Sequence, residues 1–308
     1  MDARKPHCVI LTGPTGVGKS KLALELAERF PLEIISADSR QLFRGLDIGT
    51  AKPAPQDLAA VPHHQIDTLA PGQSYSAGEY SRDTLPLITA IAERGRLPLV
   101  VGGSGFYIET LLHPLFESKQ QAASGRVELE SRYRELDNAA LYAEFSRIDP
   151  QAAAGIDVND RRKILRYLEI FSLEGEPPTV VFQNTPSTSE LSYTLFVLHD
   201  ERERLYRQIN ERVERMIEQG LVTEVQQLLV AGSQPQDNAM LSVGYREIVS
   251  HLQGETTLAE AIVAIKKNTR NYAKRQLTWF RRWPEAIWIL PEQRDTVIDK
   301  ISQMGLPS

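Results

Sequence analysis

His7-Cys8-Val9-Ile10-Leu11-Thr12 runs directly into Gly13-Pro14-Thr15-Gly16-Val17-Gly18-Lys19-Ser20. The first six residues form a short apolar run of the kind that makes a buried strand. The next eight match G-x-x-x-x-G-K-[ST] in full, and Ser20–Arg29 then places Leu22 and Leu26 at helical spacing. A strand, a glycine-rich loop and a helix in this order make a phosphate-binding loop. Its backbone N–H groups curl around phosphate oxygens, and the positive end of the helix faces the same anion. Lys19 neutralises phosphate charge, and the Ser20 hydroxyl is placed to ligate Mg²⁺. We therefore expect Gly13, Pro14, Thr15, Gly16, Val17, Gly18, Lys19 and Ser20 to hold a diphosphate-bearing substrate.

Working outward, Leu32–Ala37 reads as a second strand ending at Asp38, Glu79–Arg94 as a helix closed by Gly95, and Leu97–Val101 as a third strand ending in Gly102-Gly103. Alternation of this kind implies a parallel sheet with helices on both faces. After about residue 116 the strand signal fades. Arg126–Leu136, Asn138–Arg147 and a segment capped by Asn159 or Asp160 and running to Leu173 read as helices, before Tyr193–Leu198 returns to strand. The fold class is thus α/β: a P-loop NTPase-like parallel sheet flanked by helices, with a helical insertion domain. We expect a core of residues 1–116 and 191–308 and an insertion of 117–190. Helices over Glu203–Gln219 and Thr257–Arg282 complete the C-terminal part.

Composition narrows the function. No apolar run approaches the ~18 residues of a membrane helix, the N-terminus lacks a signal-peptide pattern, and Cys8 is the sole cysteine. We expect a cytoplasmic protein, with no membrane partner and no cysteine-based metal site. Net charge is −5, yet Ala261–Pro284 holds seven Lys/Arg and no Asp or Glu, a local imbalance suited to nucleic acid. Lys267, Arg270, Lys274 and Arg281 fall near one face of that helix. Trp279, Phe280 and Trp283 could stack on bases, but packing is the expectation. Arg162 and Arg166, four residues apart, share a helix face that suits phosphate contact or simple solvation. Asp38, at the end of a strand, either reaches a second substrate near the phosphates or caps a turn. His63-His64 reads as structural, because adjacent strand side chains diverge. Tyr245-Arg246-Glu247 suits capping or packing as well as ligand contact.

The blocks Asp38–Gln41, Arg44–Pro53, Val61–Asp67, Val101–Tyr107, Asn159–Arg166, Val243–Glu247 and Ala273–Arg281 together resemble the bacterial tRNA dimethylallyltransferase family, in family order and across almost the whole chain. The resemblance implies transfer of a dimethylallyl group from dimethylallyl diphosphate to N6 of adenosine 37 in tRNA, beside the anticodon, with Mg²⁺ assisting and diphosphate leaving. It implies that the phosphate loop holds this donor, that Asp38 accepts the N6 proton, and that Arg212 lies near the diphosphate. Asp38, Ser39, Arg40, Gln41, Ser104, Arg126, Arg162, Lys163, Ile164, Leu165 and Arg166 match tRNA-contact positions, so the insertion would contact the anticodon stem-loop. We expect a monomer. Ser104 stands where the family more often has Thr, with the hydroxyl kept. Three other readings stand beside this one: an isopentenyltransferase acting on free AMP, ADP or ATP, a small-molecule P-loop kinase, and an RNA-binding module with a relic loop. The third strand's Gly-Gly ending, in place of the Asp usual in ATP-hydrolysing loops, weighs against a kinase.

Overall fold

In a computed structural model of the 308-residue chain, residues 6–116, 131–184 and 191–304 are described. The chain divides into two compact units, Met1–Leu112 with Glu190–Ser308, and His113–Ser189. Arg126 and the first part of the expected Arg126–Leu136 helix, residues 126–130, lie outside the described residues.

In the first unit the chain forms β1 (His7–Thr12), α1 (Lys19–Ala27), β2 (Leu32–Ser36), α2 (Pro55–Ala60), β3 (His63–His64), α3 (Ala77–Glu93), β4 (Leu97–Gly102) and α4 (Gly105–Leu112). The second unit contains α5 (Asn138–Ile148), α6 (Pro150–Ala153), α7 (Arg161–Glu174) and α8 (Pro178–Gln183). The chain then returns to the first unit through β5 (Ser192–Leu198), α9 (Arg202–Glu218), α10 (Leu221–Val230), α11 (Tyr245–Leu252), α12 (Leu258–Phe280), β6 (Ile287–Ile289) and α13 (Arg294–Ser302).

The sheet order is β3-β2-β4-β1-β5-β6, with every pairing parallel. β1 is central. Val9 and Leu11 enter one core with α1 residues Leu22 and Leu26, while Cys8 and Ile10 enter the other with Tyr80, Ile88 and Phe280. Both faces are covered, which is why the β1 run reads as continuously apolar rather than alternating. β3 and β6 are edge strands of two and three residues, too short for a periodicity to show in the sequence.

Two glycines set how the strand ends meet. A Cβ on Gly102 would lie 2.1 Å from the Ala37 carbonyl oxygen, and one on Gly13 would lie 2.2 Å from that of Leu198. Gly13 also has φ +150°. These close approaches pack the end of β4 against the turn after β2, and the end of β1 against that of β5.

The second unit has its own small core, in which Leu141, Phe145, Ile164 and Leu168 are buried. α7 begins at Asp160, whose carboxylate accepts from the Lys163 N–H, and stops at Gly175 in the left-handed conformation. A helix N-cap of this type typically contributes ~1 kcal/mol.

At the opposite end of β2, Glu33 is buried. It accepts from Arg94 at 2.7 and 3.2 Å and pairs with His64 Nε2 at 2.7 Å. Burial raises the carboxyl pKa, but the hydrogen bonds and charges of Arg94 and His64 outweigh it and hold Glu33 below the usual carboxylate range. A depressed pKa contributes stability above the unfolded value of 4.5, and that stability is lost as pH falls through the folded value. Glu33→Gln is expected to cost ~1–3 kcal/mol at neutral pH, because its charged partners lose an ionised acceptor. Denaturant melts across the acid range check this: the gap from the native chain should close below the unfolded glutamate value. An equal stability at neutral pH contradicts it.

Candidate functional site

The loop Gly13–Ser20 joins β1 to α1. Gly16 and Gly18 take φ +85° and +100°, which turn the backbone where a side chain would be strained. The first turn of α1 holds no acidic residue, so the positive end of the helix stays uncompensated. Val17 is buried in the core below, so that position offers only backbone, and Pro14 has no N–H to give. Lys19 bends back over the loop, its ammonium donating to the carbonyls of Gly13 at 3.0 Å and Pro14 at 2.9 Å. Burial, with the charge of Arg212, draws its pKa down to about 8, against the opposing pull of Asp38.

Thr15, Lys19, Ser20, Asp38, Gln41 and Arg212 line one cavity of about 70 Å³ at the strand carboxyl ends, where ligands bind in open parallel sheets. Asp38 follows β2, and one of its carboxylate oxygens accepts from the Arg40 N–H at 2.8 Å. The turn-capping role is therefore present, in a residue that also lines the cavity. Arg212, on α9, donates to the Thr50 carbonyl at 3.4 Å. Burial lowers its pKa and the Asp38 charge opposes the shift. Two cations whose charged forms are disfavoured by burial face one carboxylate, an arrangement that an incoming anion relieves.

Among the resemblance-implied contact positions, Ser39 donates its N–H to the Ser104 hydroxyl at 2.9 Å. Arg40 donates to the Asn238 carbonyl at 2.8 Å. Gln41 donates to the Thr50 and Ala51 carbonyls and accepts from the Ser36 hydroxyl. These side chains shape the Asp38 turn. In the second unit Arg162, Lys163 and Arg166 are exposed, with Arg166 paired to Glu169 at 2.8 Å. Ile164 is fully buried and Leu165 packs against the same core. The Ile164 side chain is thereby removed from any RNA-facing set, and Leu165 largely so.

A second cavity of about 340 Å³ continues from the first. Asp38, Thr15, Arg212 and Tyr272 line both, and Ile209, Val213, Met216 and Ile265 give the larger one an apolar wall. Burial and the Asp38 charge push the Tyr272 phenol up to about 12, against a Ser104 hydrogen bond.

Three residues of this architecture escape the motif reading. Gln276, nearly fully buried, accepts from the Thr15 N–H at 2.9 Å and donates to the Gly103 carbonyl at 2.8 Å. One amide thus ties α12 to both the phosphate loop and the end of β4. The signal for it was a polar residue at a core position, between Ala273 and Phe280 at helical spacing. Glu224 accepts from the N–H groups of Asp47, Ile48 and Gly49 and from the Tyr245 hydroxyl at 2.6 Å. It fixes the turn that carries Thr50, and Tyr245 is core. Tyr272, which lines both cavities, is the third.

On α12, Lys267 and Lys274 are exposed, as is Arg281 just beyond it, but Arg270 donates to Asn210 at 2.6 Å. Phe280 and Trp283 are buried, with the Trp283 N–H on Glu109, in keeping with packing. Among the described residues no helix is long and apolar enough to cross a membrane, and no group of three or more His, Cys, Asp or Glu could hold a metal ion.

A family model described as IPP transferase matches residues 41–283. The tRNA dimethylallyltransferase 1 of Citrifermentans bemidjiense is 43% identical over 93% of this chain and 92% of its own length. The tRNA dimethylallyltransferase of Geobacter sulfurreducens is 44% identical over 92% of each chain. The solved tRNA isopentenylpyrophosphate transferase of Bacillus halodurans superposes with a TM-score of 0.71 at 38% identity, covering 97% of this chain and 96% of that one. A eukaryotic dimethylallyltransferase solved acting on tRNA gives a TM-score of 0.86 at 26% identity over 98% of this chain and 80% of its own.

Lys19 gives the site a titration. Its ammonium is charged below about pH 8 and loses its proton above. Calorimetric binding of inorganic diphosphate, taken as the ratio of the native chain to Lys19→Ala so that the ligand's own titration cancels, should fall as pH rises past that value. A pH-independent ratio contradicts a charged Lys19 at the anion.

Proposed function

The chain belongs to the IPP transferase family, and from that premise we infer that it is a transferase that prenylates tRNA, moving a dimethylallyl group from dimethylallyl diphosphate to an adenosine N6 and releasing diphosphate. The finer target we propose is adenosine 37, next to the anticodon, presented by the anticodon stem-loop. One observation carries the reading. The phosphate loop and Asp38 line a single cavity that opens into a larger one with an apolar wall. A kinase needs no such wall beside its transferred phosphate, whereas a prenyl donor does.

Each group has a part in this scheme. The N–H groups of the loop, the N-terminus of α1, Lys19 and Arg212 bind the diphosphate and stabilise its growing charge as the carbon–oxygen bond breaks. The apolar wall receives the five-carbon chain and keeps water from the electrophilic carbon. The adenine N6 attacks that carbon, and Asp38 accepts the N6 proton as the carbon–nitrogen bond forms. The residues also fit a Mg²⁺ ion. Ser20 is an exposed hydroxyl on the cavity, and Mg²⁺ takes few protein ligands where phosphate oxygens and water complete its shell. Such an ion, when bound, neutralises charge on the diphosphate. The exposed Arg162, Lys163 and Arg166 of the insertion supply phosphate contacts to the tRNA.

Two substitutions test the scheme. Asp38→Asn keeps the turn hydrogen bond, because Asn also accepts from the Arg40 N–H, but it cannot take a proton. Single-turnover transfer with preloaded donor should slow by ~10²-fold or more, with melting temperature held and tRNA binding largely held. A native transfer rate returns Asp38 to the turn alone. Arg162→Ala with Arg166→Ala should weaken tRNA binding and reduce the slope of log affinity against log salt by about one. Most of the change is expected from Arg162, since Glu169 already engages Arg166. Unchanged affinity and slope make that helix face merely solvated.

A further inference from the structure

Along α12 and its C-terminal turn, Tyr272, Arg275, Trp279 and Arg282 recur at intervals of three and four residues, which places them on one stripe of the helix. Arginines and rings alternate in contact. The Arg275 guanidinium lies 5.8 Å from the Tyr272 ring centre, and that of Arg282 lies 4.6 Å over the Trp279 ring. The stripe begins inside the larger cavity, where Tyr272 and Arg275 share the lining with Asp38. It then leaves the cavity and reaches Phe106 on α4, whose ring meets Trp279 edge-on at 6.1 Å. Phe106 is 48% exposed, so its ring is open to a partner from outside. The indole is seated by Gly105, where a Cβ would stand 2.5 Å from its ring. No Asp or Glu occurs between Ala261 and Pro284, and Arg281 and Arg282 are exposed at this end.

We propose that this stripe, Arg275–Trp279–Arg282 with Phe106 at its outer end, is a stacking platform for the unpaired nucleotide adjoining the adenosine that enters the cavity. The inference rests on the tRNA-prenylation reading and goes beyond it, by assigning where a neighbouring base is held. Single-stranded RNA is recognised by stacking unpaired bases on aromatic rings and guanidinium planes, with cations along the backbone. A protein partner would be expected to pair a basic, aromatic stripe with acids. An RNA loop offers both phosphates and rings, and the route from the platform to Asp38 is continuous. A base held here would leave the next one free to turn into the cavity.

The test uses the full chain and an anticodon stem-loop carrying 2-aminopurine at either position flanking the target adenosine. Phe106→Ala, at an exposed ring, should leave the melting temperature and inorganic diphosphate binding unchanged. It should weaken stem-loop binding about ten-fold without altering the salt slope and abolish the fluorescence change at one flanking position. Phe106→Tyr should restore both. Arg282→Ala should reduce the salt slope by about one. If the native chain binds the stem-loop and Phe106→Ala retains both its affinity and its fluorescence change, the platform is wrong while the prenylation reading stands. If the native chain neither binds the stem-loop nor prenylates tRNA, both fall.

Discussion

At their carboxyl ends the central strands come unusually close to their neighbours. Gly102 on β4 packs its Cα against the Ala37 carbonyl, and Gly13 packs against that of Leu198. Strands in a sheet lie ~4.8 Å apart, so side chains at these ends would have to be accommodated by splaying the backbones. With glycine at both, β4 closes on the turn after β2 and the loop after β1 closes on β5, and Asp38 shares a cavity with Lys19 and Ser20. Gln276 then locks the arrangement from outside the sheet, bridging the loop N–H of Thr15 and the Gly103 carbonyl. A buried amide with both ends satisfied is favourable, whereas the same groups left unpaired would each cost ~1–3 kcal/mol. The helix that carries Gln276 also carries Tyr272 into the cavity, so the donor side and the acceptor side are built on shared supports.

The electrostatics follow from that convergence. Lys19 and Arg212 are both pushed toward their neutral forms by burial, and each is drawn back by Asp38. A multiply charged anion bound between them favours their charged forms, so part of its binding energy comes from relieving a disfavoured arrangement. As the same anion leaves in the reaction it grows more negative, and groups fixed before the reaction need no reorganisation to meet it. Arg212 is held by the Thr50 carbonyl, on a turn that Glu224 anchors through three successive N–H groups. Supports two layers deep of this kind hold reacting groups in place.

What could be read in the sequence was what local chemistry determines. The β1 run, the phosphate loop and the caps of α7 and α12 depend on residues a few positions apart, and the structure has them within a residue or two of the expectation. The α/β class with a parallel sheet, the family, and tRNA prenylation agree with the comparisons. Gln276, Glu224 and Tyr272 were not legible as site-builders. Their partners lie 261, 177 and 168 positions away in Thr15, Asp47 and Ser104, and no periodicity reports a long-range pair. Ile164 shows the converse. A contact block of contiguous residues on a helix includes inward positions, and the helical period puts Ile164 in the core while Arg162 and Arg166 point out. Edge strands of two and three residues are beneath the resolution of any pattern argument.

We propose that the phosphate loop serves a prenyl donor and that the acceptor is tRNA. Incubating the chain with dimethylallyl diphosphate, Mg²⁺ and an equimolar mixture of unmodified tRNA and AMP, then digesting the tRNA for nucleoside mass spectrometry, measures it directly. The expected result is adenosine bearing a single five-carbon group in the tRNA digest, with one diphosphate released per group transferred and AMP unmodified. Prenylated AMP with unmodified tRNA contradicts it, as does phosphorylated product when ATP replaces the donor.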